Sequence, residues 1–431
     1  MSPAARLSAA IEVLADLELR RRPVGDALKD WGLSHRFAGS KDRAAIASLV
    51  YDALRRRSSA AWIMGEEAPR AVLIGMLKLQ RGLDVETIAR HFSGERHAPP
   101  PLSDWERERL TETTLDGAPA PVAGDFPDWI EPSLRHLFGD DLVPELQALA
   151  TRAPLDLRVN ALKVASRKEV HDALSHLGAV ETPHSPLGLR IAPSEDGRGP
   201  AVQSEPAFLK GWVEIQDEGS QLAALLSGAK PGEQLVDLCA GGGGKTLALA
   251  AMMENHGQIY ATDGDTRRLA PIHERLARAG ARNVQVRTPR ARADAVRDLD
   301  GRIDAVLVDA PCTGTGTWRR NPDAKWRLRP GSLDTRRQEQ AAVLDRAARL
   351  LKPSGRIVYV TCSILPEEND ETVAGFLERT TGFRSIPAPE VLAKAGFDDL
   401  SEAVRFTRHG LQMTPLRTRT DGFYVSVLRK G

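Results

Sequence analysis

The chain is poor in cysteine: Cys239, Cys312 and Cys362 are its only three, and no two of them form a CxxC pair. That supports neither a disulfide framework nor a zinc site, makes a reducing cytoplasm the natural home, and leaves the thiols free to react. An excess of one charge is also lacking. With 59 basic and 58 acidic side chains the formal charge is +1, so the total names no partner and only local clusters can. No apolar run is long enough to span a bilayer. In "MSPAARLSAAIEVLADLELRRRP" the acids Glu12 and Asp16 break up any signal-peptide core. No membrane, no metal and a monomeric state are the expectations, and no internal repeat is visible. What the chain has is length: 431 residues, 42% hydrophobic and 27% charged, describe a soluble globular protein of two or three domains.

From residue 5 to about 92 the apolar positions fall at helical spacing, as in Leu7, Ile11, Leu14 and Leu17 or Ile46, Leu49, Val50, Ala53 and Leu54. The basic runs 20–22 and 55–57 fall at the ends of these helices, where they either complement the macrodipole or contact RNA. Residues 93–130 are rich in Pro, Gly and polar groups and read as a linker with at most one short helix. Residues 1–130 are therefore expected to form a helical domain plus linker. Next come a strand in "LDLRVNALK", a helix capped by Ser166 and a strand in "GLRIAP", which make a small α+β module over 131–210. From 211 to 431, short Val/Ile/Leu-rich strands alternate with helices. That is the pattern of a parallel sheet covered on both faces, a Rossmann-like doubly wound α/β fold.

"VDLCAGGGGKTLALAAMM" runs from the first strand of that half through Gly241, Gly242, Gly243 and Gly244 into a helix near Lys245. Such a loop lets the backbone approach a ligand at the carboxyl end of a strand. The phosphate-binding pattern GxxxxGK[ST] is not met, because its first glycine would fall on Cys239, so ATP hydrolysis is not expected. The second strand ends at Asp263, placed to accept hydrogen bonds from ribose hydroxyls or, alternatively, to cap the next helix. Nicotinamide cofactors and S-adenosylmethionine both carry such a ribose.

"IDAVLVDAPCTGTG" and "GRIVYVTCSILPEEN" are strands that end at Asp309 and Thr361, and they bring Cys312 and Cys362 to the ligand-binding edge. Cys239, inside the glycine loop, reads as a small buried residue. Two thiols at an S-adenosylmethionine cleft suggest one chemistry. Carbon 5 of a pyrimidine is too poor a nucleophile to take a methyl group, but thiolate addition at carbon 6 makes an enamine whose carbon 5 is not. Asp309 is placed to share the proton at the N3/N4 edge. A nicotinamide dehydrogenase would share the loop and Asp263 but would use neither thiol.

The runs "DLCAGGGGKT", "DAPCTGTG…RRNPDAKW", "YVTCSILPEEN" and "TDGFYVSVLRK" resemble, in order and over roughly residues 155–431, the RsmB/Sun (Fmu) branch of the RNA cytosine-5 methyltransferases. The first domain resembles the NusB-like RNA-binding domain that precedes the catalytic part in RsmB-type proteins. The resemblance implies that Cys362 is the nucleophile and that Cys312 helps release the enzyme from the methylated base. It further implies that Cys239, Ala240, Gly241–Gly244 and Lys245 line the methionine and ribose part of S-adenosylmethionine, that Asp263 binds the ribose and that Asp309 faces cofactor and base. In this chain Gly241-Gly242 replaces the family's usual residues before the last two glycines. Arg290 lies where the family tends to have an aspartate near the adenine, so Asp294 or a backbone amide would substitute.

Between the thiols, "TWRRNPDAKWRLRPGSLDTRR" interleaves Trp318 and Trp326 with Arg319, Arg320, Lys325 and further arginines. This suits phosphate contacts and base stacking, or else a solvated helix face. Arg158, Asn160 and Lys163 resemble the family's RNA-side motif. The expectation is a methyltransferase acting on cytosine in RNA, 16S rRNA first, with tRNA, large-subunit rRNA or a non-catalytic RNA-binding assembly factor as alternatives.

Overall fold

The computed structural model describes residues 1–194, 199–289 and 294–431. They form two compact units: Met1–Arg152 with Pro193–Gly199 and Trp318–Leu328, and Ala153–Ala192 with Pro200–Thr317 and Arg329–Gly431.

The first unit is helical. Helices Pro3–Arg20, Ser40–Arg55 and Pro69–Leu79 bury the faces marked by the sequence period, including Ala10, Val13, Ile46, Val50, Leu73 and Ile74. Helix Pro69–Leu79 lies so close to Arg57–Met64 that a Cβ at Gly75 would stand 2.6 Å from the Ala60 carbonyl oxygen. The Pro/Gly-rich stretch carries two α-helices, Asp104–Glu112 and Ala120–Ala123, where at most one was expected. The first of them starts on a capping box: Ser103 accepts from the Glu106 amide, and Glu106 accepts from the Ser103 amide. Helices Glu131–Phe138 and Leu142–Leu149 also belong to this unit, which therefore reaches Arg152 and passes the expected boundary at 130.

Residues 318–328 complete the same unit. Trp318 is buried, and Lys325 sends its ammonium to the carbonyls of Arg55 (3.0 Å) and Asp125 (2.7 Å). Trp326 donates its indole N–H to the Leu54 carbonyl, and the Arg55 guanidinium donates to the Arg319 carbonyl.

The second unit holds two sheets. In the small antiparallel one, β1 (Leu155–Val159), β2 (Val180–Glu181), β3 (Gly188–Ile191) and β4 (Val213–Ile215) lie in the order β2-β3-β1-β4. β4 thus pairs with β1, although it lies beyond the expected start of the catalytic region at 211. Helix Arg167–Ala173 begins as expected, with the Ser166 hydroxyl accepting from the Glu169 amide.

The large sheet contains β5 (Gln234–Asp237), β6 (Gln258–Ala261), β7 (Val284–Val286), β8 (Ile303–Asp309), β9 (Leu351–Thr361), β10 (Phe383–Ser385), β11 (Arg405–Phe406), β12 (Leu411–Met413) and β13 (Phe423–Lys430). Its order is β11-β12-β13-β9-β8-β5-β6-β7, with β10 beside β13. The strands from β7 to β9 are parallel, and β13 runs antiparallel to β9. Successive residues feed opposite faces: Leu235, Leu307 and Val358 enter one apolar cluster, and Val236, Val306 and Ile357 enter another. With both faces covered, ligands are left the carboxyl edge, where strand order reverses between β6, β5 and β8.

Candidate active site

The loop after β5 is built around left-handed glycines. Gly241 (φ 50°) donates its amide to Asp263 Oδ2 at 2.9 Å, and Gly243 (φ 83°) caps helix Gly244–Met252. A Cβ on Gly243 would lie 2.5 Å from Ile272 Cγ1, so the position admits only glycine. The loop opens on a cleft of about 540 Å³, walled by Leu238, Cys239, Asp263, Asp294, Val296 and Pro311 among others. Asp263 is buried, and its Oδ1 accepts from the Asp265 amide. The helix Thr266–Leu269 is capped by Asp265, so Asp263 is not its cap.

Asp294 pairs with Arg346 beside this cleft. Arg290 lies outside the described residues. Burial pushes the Cys239 thiol well above its ordinary range, with the charges of Asp237, Asp309 and Asp263 acting in the same direction. This disfavours its thiolate.

Lys245, in the first turn of the helix, is buried. Its ammonium lies 2.8 Å from Asp309 Oδ2 at the end of β8 and 5.2 Å from the centroid of the Phe423 ring. Asp309 remains partly open, with about a third of its side chain exposed. Below the pair, Asp237 is buried and accepts from the Thr246 hydroxyl at 2.6 Å. Burial pushes its carboxyl up to about 7; the Thr246 bond opposes the rise and the Asp309 charge adds to it.

The sulfur atoms of Cys312 and Cys362 lie 3.4 Å apart. Several contacts hold their loops together. The Gly316 amide donates to the Cys362 carbonyl (2.9 Å), and the Ile364 amide donates to the Thr315 hydroxyl, which also meets the Ser363 hydroxyl. Gly316 packs so tightly on Gly422 that an added Cβ would fall 2.0 Å from the Gly422 carbonyl oxygen, which accounts for the glycine at position 316. The contact with Cys362 pushes the Cys312 thiol far up; burial and the charges of Cys362 and Glu368 act the same way.

Asp237, Glu368 and Gln340 join these residues without having been expected from the sequence. Glu368 and Gln340 are buried behind the Cys312 loop. The run of acids in "LPEEN" was the available signal for Glu368.

The expected RNA-facing residues divide. Arg158 is buried and donates to the Gly244 carbonyl; Asn160 is buried and donates to the carbonyls of Gly211 and Ala279. Both serve the fold of the second unit, because buried polar groups must satisfy their partners within the protein. Lys163 is exposed. Lys325 and Arg319 are buried, and Trp318 and Trp326 pack into the helical unit. Neither a stacking platform nor a phosphate-binding ammonium is left at these four positions. Arg320 is half-buried.

A parallel sheet with a glycine loop after its first strand, an acid after its second and paired thiols beyond its fourth and fifth places the second unit among the Rossmann-like methyltransferases. The crystal structure of a methyltransferase homolog protein from Pyrococcus horikoshii shares this fold, with a TM-score of 0.58 and 26% identity over 72% of this chain and 98% of that one. The family described as 16S rRNA methyltransferase RsmB/F matches residues 224–429. The probable ribosomal RNA small subunit methyltransferase B of Synechocystis sp. is 32% identical over 308 residues, 71% of this chain and 67% of that protein. Its counterpart in Salmonella typhi is 29% identical over 414 residues, 90% and 91%. The chain belongs to the RsmB/F methyltransferase family. Among the described residues no helix is long and apolar enough to cross a membrane, and no group of three or more His, Cys, Asp or Glu could hold a metal ion.

Proposed function

We propose that the protein methylates carbon 5 of a cytosine in RNA, with S-adenosylmethionine as donor and small-subunit rRNA as target. The observation that carries the reading is the pair of sulfurs 3.4 Å apart at the ends of β8 and β9, beside the Lys245–Asp309 pair. The residues at the cleft fit the donor: Asp263 suits its ribose, the glycine loop that begins at Cys239 lets the backbone approach it closely, and Leu238, Val296 and Pro311 offer an apolar wall to the adenine. When bound, S-adenosylmethionine supplies an electrophilic methyl group for the activated carbon 5.

The chain's own groups do the rest. The Cys362 thiolate adds to carbon 6 while the Lys245–Asp309 pair supplies a proton to N3, and carbon 5 becomes nucleophilic. Cys312, having lost its proton to solvent, then removes the proton from carbon 5. That C–H pair becomes the C5–C6 double bond, Cys362 leaves as thiolate, and N3 returns its proton. The one net proton of the reaction thus departs through Cys312.

The test is transfer of labelled methyl from S-adenosylmethionine to unmethylated 16S rRNA. Cys362→Ala is expected to reduce transfer to background. Cys312→Ala is expected to slow turnover roughly a hundredfold and to accumulate a denaturation-stable protein–RNA adduct. An adduct in the Cys362 variant and none in the other would reverse the two roles. Label in tRNA or 23S rRNA but not 16S would keep the chemistry and change the target.

A further inference from the structure

Glu368 lies just beyond Cys362 and is fully buried. Its Oε1 accepts from the Thr313 amide (2.8 Å) and from Gln340 Nε2 (3.1 Å), and its Oε2 accepts from the Thr313 hydroxyl. Gln340 Nε2 donates in addition to the Pro311 carbonyl (2.9 Å). The residues on both sides of Cys312 are therefore tied to one carboxyl group and its amide neighbour. The Glu368 backbone is fixed in turn by its amide on the Leu365 carbonyl and by the Tyr359 hydroxyl on its own carbonyl. A neutral side chain would have been the cheaper choice for a purely structural tie at a buried site.

We propose that Glu368 is a positioning residue for the second thiol: its carboxylate clamps Thr313 and so aims the Cys312 sulfur at the covalent adduct held by Cys362. This rests on the roles given above to the two thiols. A carboxylate there has a further effect, because negative charge close to Cys312 disfavours its thiolate and so makes that thiolate, once formed, a stronger base toward the proton on carbon 5. Glu368 itself is pushed up by burial, while hydrogen bonds from Ser363 and Thr313 pull the other way.

The elimination step consumes a Cys312 thiolate and returns a thiol, so a group that sets both its aim and its basicity governs release of product and not attack on the base. Glu368→Gln keeps the shape and most of the hydrogen bonds while removing the charge. Trapped adduct per turnover with 16S rRNA is expected to rise about tenfold, with adduct formation itself little changed. Alkylation of Cys312 by iodoacetamide in the RNA-free protein, followed by mass spectrometry against pH, is expected to show a midpoint lowered by about one pH unit.

Thr313→Val, which removes one hydroxyl donor and keeps the size, is expected to raise the adduct ratio in the same direction. It serves if the Gln variant does not fold by circular dichroism. An unshifted midpoint with adduct and turnover falling in parallel would overturn the proposal, since that is the signature of general loosening. If the wild-type protein methylates RNA without any adduct, the thiol roles fail, and the alkylation midpoint still decides whether Glu368 controls Cys312.

Discussion

Asp237 ends β5 with one carboxyl oxygen on the Thr246 hydroxyl and the other, Oδ1, without a hydrogen-bond partner among the described residues. A buried carboxyl in that state is more stable protonated, and its folded value of about 7 lies above its ordinary 3.8. The folded protein then binds more protons than the unfolded chain between those two values. Asp237 therefore favours folding fully below about pH 4, and the advantage is lost as pH rises through 7. Asp237→Asn keeps an acceptor for Thr246 and removes the titration. Urea denaturation at pH 5 and pH 8 is expected to show the wild-type protein losing about 2–4 kcal/mol more than the variant across this window. Equal losses would show that Asp237 is ionised throughout. The positions of Asp309, Cys312 and Cys362 were legible because their strands announce where the carboxyl edge of the sheet lies. Asp237 was hidden inside a strand pattern, and nothing in a linear pattern reveals that a carboxyl at a strand end has lost its solvent.

At the scale of elements, the strands of the large sheet were legible because unbroken Val/Ile/Leu runs between glycine turns have few other places to go. The chain boundaries were not, since β4 joins β1 and helices Glu131–Phe138 and Leu142–Leu149 join the first unit through contacts that composition does not encode. The clearest divergence is helix Pro322–Arg327. Its basic and aromatic residues resemble a nucleic-acid surface, yet Lys325 is buried on two backbone carbonyls. Burial lowers the Lys325 amine to about 7, with the Asp125 charge opposing. The unfolded chain then holds more protons between pH 7 and about 10, and stability rises across that window. Lys325→Ala is expected to remove this rise and to destabilise the protein by about 2–4 kcal/mol at neutral pH, because two buried carbonyls lose their donor. The salt dependence of RNA binding should stay as in the wild type, since no phosphate contact is lost. A shallower salt slope would return Lys325 to the RNA surface.

For the molecule as a whole, the helical unit is assembled from distant stretches, with residues 318–328 as a late piece. A chain stopped at residue 317 is expected to leave residues 1–152 more rapidly cut by protease than a chain carried past 328, because Lys325, Trp318 and Trp326 then no longer fill their sites. Identical digestion rates would mean that the first 152 residues stand alone.

The same insertion sets an order in time. At roughly 5–20 residues per second of synthesis, the first unit waits on the order of ten seconds for its closing segment to leave the ribosome. Throughout that interval the place that Lys325 will fill stays open, and a chaperone has its opportunity before the first unit is complete.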